Sequence, residues 1–193
     1  MPDGLPGVYA GDFPCSNCAG IAATLWLRPD ARFFLRQSYV GDDGTTDSSS
    51  YALGRWRWDE NDAVIVLAGA GPERRFSSVD EQHLKLHTVS KIEHLLTRDP
   101  LAPAFADRIR LDGESAVIEG NVVFTECLTN LQLPVAKEGG FNELRRQHRL
   151  LNSRGGVALT AVDGRITEVA NGDTVSELLV IDRVIGLKPG VGC

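Results

Sequence analysis

Two cysteines separated by two residues are the most chemically suggestive feature of the sequence, in the run Pro14-Cys15-Ser16-Asn17-Cys18. Such a pair can form a plain or redox-labile disulfide, donate two thiolates to a soft metal such as Cu(I), or act as a catalytic redox couple. Thioredoxin-type couples open a helix that follows a strand, whereas here Gly20 and a strand-like run follow at once. The pattern therefore favours a disulfide, with metal ligation by Cys15 and Cys18 as the alternative.

Cys127 and Cys193 bring the cysteine count to four. An even count suits an oxidising compartment, but four cysteines allow three pairings and spacing alone does not choose among them. No second cysteine-rich knuckle is present to complete a structural zinc site, which needs four ligands. The residues alone thus leave the pairing open.

A basic cluster, Arg145, Arg146 and Arg149, lies on the outer side of the one helix that the sequence predicts. Cations near a helix C-terminus complement the helix dipole, so a solvated helix face is the simplest interpretation. A docking surface for an acidic partner is the functional alternative. His148 falls on the apolar stripe of the same helix and is expected at the edge of the core.

Neither the histidines nor the candidate nucleophiles of the sequence form a pattern typical of a catalytic site. His83 and His87 alternate with leucines, as on the polar face of a strand, and no Ser-His-Asp arrangement, phosphate loop or paired-carboxylate geometry can be argued. We therefore expect a protein that acts without catalysis. Several aromatic residues could instead line a barrel cavity and make the protein a small-ligand carrier: Trp26, Phe33, Tyr39, Trp56 and Trp58.

Composition narrows the class of protein. The chain has 193 residues, a hydrophobic fraction of 42% and a net charge of −6, which is ordinary globular composition. The acidic balance argues against a nucleic-acid binder and against a polybasic membrane-surface module. No apolar run is long enough for a membrane-spanning helix. The first residues lack the basic start of a signal peptide, so we expect either a cytoplasmic protein or one whose signal has been removed.

The elements that must position these residues are mainly strands. Short strand-like runs fill the first ninety-odd residues and predict an up-and-down barrel over 5–97, with turn residues and a polar loop over 41–50 between them. Within these runs Leu25 and Leu27 share one face of a strand, as do Trp56 and Trp58 of a later one. Pro100 and Pro103 suit a linker over 98–112.

The second half contains one predicted helix over 141–151, with Gly155-Gly156 beyond it. A strand-like run over 116–126 and two later strands, the first with a turn at 163–164, complete the elements and predict an OB-like barrel over 113–193. The expected fold class is therefore mainly β, with two domains.

Several segments together resemble the NlpE family of copper-homeostasis and envelope-stress lipoproteins. They are Gly7-Val8-Tyr9-Ala10-Gly11, Pro14 to Ile21 with its P-C-x-x-C-x-G-I pattern, Gly54-Arg55-Trp56-Arg57-Trp58, Gly120-Asn121-Val122-Val123-Phe124 and Leu133-Pro134-Val135-Ala136. The first cysteine run is the most specific of these, and the resemblance in the second half is looser. It extends over nearly the whole chain.

The resemblance implies a lipid-anchored protein at the periplasmic face of the outer membrane, with a lipocalin-like barrel followed by an OB-like barrel. It implies a sensor of surface-contact, redox or copper stress that signals to an inner-membrane kinase of the Cpx type. In that oxidising setting, Cys127 and Cys193 are expected to pair, beside a Cys15–Cys18 bond. Copper is the one cofactor it suggests. The lipid-bearing cysteine has no counterpart in this sequence, and a homodimer is compatible with it.

Overall fold

The chain folds into two compact units, residues 1–104 and 105–193. The structure is a computed structural model, and it describes residues 4–69, 71–88, 93–102, 105–150, 156–172 and 174–193. Strands predominate within these ranges, which contain a single helix. Nowhere in the described ranges is there a helix with the length and apolarity that crossing a bilayer requires.

The first unit is a closed antiparallel barrel of eight strands. In chain order the strands are β1 (Gly7–Phe13), β2 (Gly20–Leu27), β3 (Arg32–Val40), β4 (Thr46–Asp59), β5 (Val64–Gly69), β6 (Arg74–Ser78), β7 (His83–Leu86) and β8 (Leu95–Arg98). Each strand pairs with the next, and β8 pairs back with β1 through Tyr9–Arg98 and Ala10–Thr97. The up-and-down barrel that the sequence predicts is confirmed.

Every second side chain along the strands points inward and fills the interior of this barrel. Leu25 and Leu27 of β2 point inward with Phe33 and Leu35 of β3, and all four are almost completely buried. Successive side chains of a strand face opposite sides of a sheet, so one apolar residue in two is enough to fill a barrel of this size. The middle of the barrel is consequently a packed core, and cavities lie towards its two ends.

Closure of the barrel depends on Gly11, where β1 approaches the backbone of β8. A Cβ atom at this position would lie 2.3 Å from the carbonyl oxygen of Leu95. We expect Gly11→Ala to lower the free energy of unfolding of the barrel by about 1–3 kcal/mol, the usual cost of overpacking. Chemical denaturation followed by tryptophan fluorescence measures this. Gly20→Ala is the matched control, because its Cβ would meet nothing closer than 3.7 Å; equal losses in both variants would contradict the argument.

The second unit is one five-stranded sheet with a helix. Its elements are β9 (Ile109–Ile118), β10 (Asn121–Glu126), β11 (Gln132–Pro134), α1 (Phe141–Leu150), β12 (Ala158–Asn171) and β13 (Thr174–Pro189), and the strand order is β11-β10-β9-β12-β13. Just after β11, Val135 forms a parallel bridge to Leu179 of β13. The two edges of the sheet therefore meet, which makes it a partly open barrel with the helix between its third and fourth strands.

Helix α1 packs against this sheet through three residues. Phe141, Leu144 and His148 are buried, and their spacing of three and four places them on one face of a helix. The backbone N–H of Gly140 donates to the carbonyl of Ile181 on β13 at 2.7 Å, and Glu143 lies in the first turn, where a negative charge complements the helix dipole. Leu151 and Gly155, which the sequence assigned to the end of this helix, lie outside the described residues.

Three boundaries differ from the sequence interpretation. The run 116–126 is two strands, because Glu119 and Gly120 both have positive φ angles (48° and 81°) and form a hairpin turn, as the turn types favoured in hairpins require. Residues 163–164 are a strand irregularity inside β12 and not a turn. The polar stretch 46–50 belongs to β4, because it pairs with the end of β3.

The expected linker, 98–112, overlaps strands at both ends. Arg98 closes β8, and β9 already begins at Ile109, because residues 109–112 pair with β12. Part of this segment, residues 103–104, lies outside the described residues. We expect limited proteolysis to cut first within 99–108, because segments that join compact units make few packing contacts. Mass spectrometry of the fragments checks this; first cuts within β2 or β12 would contradict it.

Candidate functional site

The first cysteine pair closes the loop between β1 and β2. Cys15 and Cys18 form a disulfide with their Cα atoms 5.3 Å apart. Both are half-buried, whereas Ser16 and Asn17 between them are exposed. The loop ends where β2 begins at Gly20, without the helix that lowers thiol pKa values in thioredoxin-type couples. The bond is thus a partly accessible disulfide on the rim of the barrel.

Metal binding at this pair would require its reduction. All four cysteines of the chain are in disulfides, and only a thiolate binds a soft metal well. Among the described residues, no group of three or more His, Cys, Asp or Glu side chains is arranged to hold a metal ion. The two strand-face histidines have other partners: His83 contacts Asp80 at 2.8 Å, and His87 contacts Ser77 at 2.5 Å. Ligation by Cys15 and Cys18 therefore stays a prediction for the reduced protein.

The second disulfide joins positions that are far apart in the sequence. Cys127 and Cys193 are 66 residues apart, and their Cα atoms are separated by 5.5 Å. Cys127 follows β10, and its N–H donates to the carbonyl of Asp112 at 3.0 Å. The backbone N–H of Cys193 donates to Glu114 Oε1 at 2.8 Å. Residues 190–193, which follow β13, are exposed, so this bond fastens the last residues of the described chain to the turn after β10.

A buried carboxylate organises the turn that carries Cys127. Glu126 is 3% exposed and accepts hydrogen bonds from the N–H of Leu128 at 3.1 Å and from the N–H of Thr129 at 2.7 Å. The hydroxyl of Thr129 donates to the same carboxylate at 2.5 Å. Backbone groups that would be costly to bury alone are thereby satisfied. Nothing in the residue pattern marked this glutamate, since only the fold buries it.

The arginine cluster lies on the solvent side of α1, as the sequence predicts for its geometry. Arg146 and Arg149 are exposed, and Arg145 is half-buried with its guanidinium 5.5 Å from the ring centroid of Phe141. Arg146 Nε donates to Glu143 at 3.0 Å. Arg149 makes no ion pair with any described residue, so the exposed end of the helix presents positive charge.

A buried polar network lies beneath the same helix. His148 Nε2 and Ser115 Oγ are 2.8 Å apart, and Ser115 Oγ is 2.5 Å from Thr160 Oγ1, which donates to the carbonyl of Ala158 at 3.0 Å. Ser115 and Thr160 are inaccessible to solvent. The sequence placed His148 at the core edge but did not reveal these partners. A buried serine–histidine contact of this kind fixes the helix on the sheet and is closed to a substrate.

His148 should make the second unit sensitive to acid. Burial lowers the pKa of its imidazole from 6.5, so the unfolded chain binds a proton there at a higher pH than the folded chain does. Stability is therefore complete above about pH 6.5 and falls as the pH decreases below that value. We expect amide hydrogen exchange in 105–193 to quicken between pH 6.5 and 5 beyond its intrinsic pH dependence, and His148→Gln to flatten this trend.

The pH window from 6.5 to 5 separates His148 from carboxylate effects in the same unit. A hydrogen bond from Gln147, followed by one from Arg146, lowers the pKa of Glu143. Hydrogen bonds from Arg110 and then Arg183 do the same for Asp163. Both groups lose their stabilising charge only in stronger acid. His148 is the only histidine after residue 104, so a pH response that survives His148→Gln would contradict the assignment.

At one end of the barrel, Arg98 ties the N-terminal segment to the strands. Its Nη2 donates to the carbonyl of Pro6 at 3.1 Å and to the Tyr9 hydroxyl at 2.9 Å, and it also contacts the carbonyl of Gly4. The guanidinium lies 5.1 Å from the ring centroid of Tyr9. An open cavity of about 620 Å³ lies at this end. A smaller cavity of about 240 Å³ lies at the other end, beside the Cys15–Cys18 loop.

Comparison with known proteins relates the chain to one family. Residues 9–93 match the family model of the NlpE N-terminal domain. Lipoprotein NlpE of Escherichia coli strain K12 is 23% identical over 98% of this chain and 81% of its own length. The crystal structure of the Cpx pathway activator NlpE from Escherichia coli matches with a TM-score of 0.41, at 23% identity and over 98% of both chains.

A second crystal structure, of a candidate lipoprotein from Shewanella oneidensis, matches with a TM-score of 0.41 at 28% identity, over 52% of this chain and 100% of that one. The family model begins at Tyr9 of β1 and ends just before β8, so it spans almost the whole of the first unit. It also includes the Cys15–Cys18 loop, the part of the sequence that most specifically resembled this family. The N-terminal barrel thus matches the model of the NlpE N-terminal domain over residues 9–93, and the chain as a whole is similar to Lipoprotein NlpE.

Proposed function

We propose that this protein is a non-enzymatic envelope lipoprotein that reports surface-contact, redox or copper stress to an inner-membrane sensor kinase of the Cpx type. In its full-length form it would be lipid-anchored at the periplasmic face of the outer membrane. The similarity to Lipoprotein NlpE and to a protein described as a Cpx pathway activator supports this proposal. The chain would act through binding of a partner and not through chemistry of its own.

The observation that carries the redox part of this proposal is the Cys127–Cys193 disulfide. It closes a loop of 66 residues, and long loops gain the most from a cross-link in the chain-entropy model. The tail that it fastens, residues 190–193, is exposed and is also hydrogen-bonded through Gly190 to Val157 and through Cys193 to Glu114. When envelope oxidation fails, the second unit would loosen and expose surface that the folded unit hides. A kinase could read that change.

The arginine surface, defined as Arg145, Arg146 and Arg149, is the proposed contact for an acidic partner. The two exposed arginines lie on one side of α1, opposite the buried Leu144 and His148. Complementary charge raises association rates and selects partners more than it adds affinity. We expect Arg149→Glu to reduce signalling without lowering the melting temperature. Lys188→Glu, an exposed charge reversal on β13, is the matched control.

The test uses the lipidated full-length protein in cells that carry a transcriptional reporter of the Cpx response. Cys127→Ser and Cys193→Ser should each raise reporter output, because each prevents the long-range bond. The double variant Cys15→Ser/Cys18→Ser should leave that redox response largely intact. Equal output from wild type and Cys193→Ser, with equal protein levels, would refute the redox sensor.

Copper handling by the reduced Cys15–Cys18 pair is the second candidate function. It is favoured by the partial exposure of both cysteines on the barrel rim, where a reductant and a metal ion can reach them. A competition titration with Cu(I) on the reduced protein tests it. Undiminished binding by the Cys15→Ser/Cys18→Ser variant would eliminate the site.

A further inference from the structure

The cavity of about 240 Å³ beside the Cys15–Cys18 loop has walls that are mostly apolar. Phe13, Leu35 and Phe76 are almost fully buried around it, and Ile21 and Leu86 contribute further apolar surface. Exposed Pro14, directly before Cys15, lies at its mouth. A concave apolar surface with a few convergent polar groups is the usual form of a small-molecule site. The polar side chains that line this cavity therefore indicate which class of ligand it would bind.

Strand alternation turns one arginine into this cavity and its neighbour out of it. In β6, Arg74 lies on the same side as buried Phe76 and lines the cavity. Arg75 faces the outside, where its Nη1 donates to Asp62 at 2.8 Å. Only the outward arginine has a carboxylate partner among the described residues. Burial lowers the pKa of the Arg74 guanidinium, against a smaller opposing effect of Tyr39, as expected for a cation that is partly removed from water.

A histidine whose ring nitrogens have no hydrogen-bond partner among the described residues lies at the same cavity. His94, directly before β8, stacks on Phe13 with ring centroids 5.0 Å apart. Both of its ring nitrogens are buried, and neither has a hydrogen-bond partner in the described part of the chain. Buried polar atoms are nearly always satisfied, so an orphan pair of this kind calls for an explanation. An imidazole always offers at least one N–H donor.

No carboxylate is among the described residues that line this cavity, although the chain as a whole carries a net charge of −6. A guanidinium, an imidazole and the Gln37 amide thus converge on an apolar chamber without a negative charge. Leaving the His94 nitrogens buried and unpaired costs free energy, and the half-buried Arg74 guanidinium loses hydration without gaining a carboxylate partner among the described residues. A bound anion would remove that cost, since Arg and His donors form their strongest hydrogen bonds with carboxylates.

We propose that this end of the barrel binds a small organic monocarboxylate, with its carboxylate held by Arg74 and His94 and its apolar body packed among Phe13, Leu35 and Phe76. The volume of the cavity limits the size of the ligand, because about 240 Å³ lies just below the roughly 300–1,000 Å³ of sites for drug-sized ligands. A medium-chain fatty acid or a monocyclic aromatic acid fits this description. The site is separate from the signalling role proposed above.

The test is isothermal titration calorimetry of the whole chain, in its disulfide-bonded form at neutral pH, with octanoate, benzoate, octan-1-ol and octylamine. We expect octanoate or benzoate to bind at least tenfold more tightly than octan-1-ol, and octylamine not to bind. Which acid binds more tightly distinguishes a fatty-acid site from one for aromatic acids. Equal affinity for octanoate and octan-1-ol, or no saturable heat from either acid, would overturn the proposal.

Two variants and two matched controls test whether Arg74 and His94 hold the carboxylate of the ligand. Arg74→Met should weaken binding of the preferred acid at least tenfold, and His94→Phe should weaken it severalfold while keeping the stacking on Phe13. Arg75→Met and His87→Phe change the same residue types outside the cavity and should leave affinity unchanged. Undiminished affinity in Arg74→Met would overturn the role of the guanidinium.

Stability provides a second readout that a merely structural arginine would not give. Removing a half-buried cation that has no carboxylate partner among the described residues should keep or raise the melting temperature of the barrel, because the cost of its partial desolvation disappears. We therefore expect Arg74→Met to lose acid binding without losing stability, and Arg74→Lys to retain part of the binding. A fall in melting temperature together with normal binding would show that Arg74 serves the fold and not a ligand.

Discussion

Cys193→Ser is expected to destabilise the second unit by about 4 kcal/mol, because the disulfide to Cys127 closes a 66-residue loop in the chain-entropy model. The melting temperature of that unit should then fall by about 15 °C or more, since each kcal/mol shifts a domain of this size by roughly 4–8 °C. A reductant should produce the same shift in the wild type. The matched control is Cys15→Ser/Cys18→Ser, whose short loop lies in the barrel and constrains the unfolded chain far less.

The positions of the tryptophans allow the unfolding of the two units to be followed separately. All three tryptophans, Trp26, Trp56 and Trp58, belong to the first unit, so tryptophan fluorescence follows the barrel alone. Amide hydrogen exchange of peptides from 105–193 follows the second unit separately. We expect Cys193→Ser to leave the fluorescence transition in place while protection in β12 and β13 falls. An unchanged melting temperature and unchanged protection would contradict the role assigned to this bond.

Glu126→Ala is the substitution for which we expect the next largest loss, at least about 3 kcal/mol. It removes the acceptor of the buried N–H and hydroxyl of Thr129 and of the partly exposed N–H of Leu128. Each buried group that loses its acceptor costs about 1–3 kcal/mol, and the exposed one adds less. Glu126→Gln should lose less, since its amide oxygen still accepts one of these bonds. Urea denaturation followed by hydrogen exchange in the second unit measures both changes.

Glu114→Ala is the control for this series. Glu114 is half-buried and accepts one backbone hydrogen bond, from Cys193 at 2.8 Å, so its removal should cost no more than about 1 kcal/mol. Both glutamates lie beside the same disulfide, but only Glu126 is buried. Comparing the two variants therefore separates the effect of burial from the effect of proximity to the disulfide. A loss in Glu114→Ala that equals the loss in Glu126→Ala would mean that the carboxylate network does not hold the Cys127 turn.

Alternation was the part of the fold most readily predicted from the sequence. Leu25 and Leu27 of β2, and Trp56 and Trp58 of β4, fell on the expected sides because a strand repeats every two residues whatever its partners are. The spacing of Phe141, Leu144 and His148 likewise defined the buried face of α1. These features depend on local geometry, so residue order alone is sufficient to reveal them.

Strand boundaries depended instead on pairing. Residues 46–50 are polar, which is typical of a loop, yet they extend β4 because β3 offers its backbone groups to them. Residues 163–164 have a turn composition but continue β12 between β9 and β13. Tertiary hydrogen bonds outweigh local propensity in both places. The turn at 119–120 was missed because it requires a positive φ angle at Glu119, and non-glycine residues rarely adopt such an angle.

Neighbouring residues were enough to predict the cysteine-rich rim loop, the alternating strands, the single helix and the family resemblance, because each of these depends on a local pattern. Contacts between distant groups became visible in the folded chain alone. Cys127 reaches Cys193, His148 reaches Ser115, and Arg74 shares a cavity with His94. Such meetings follow from strand order and barrel closure, which bring together residues that no local period relates. The candidate ligand site is therefore a property of the closed barrel, whereas its arginine and histidine in sequence look like any others.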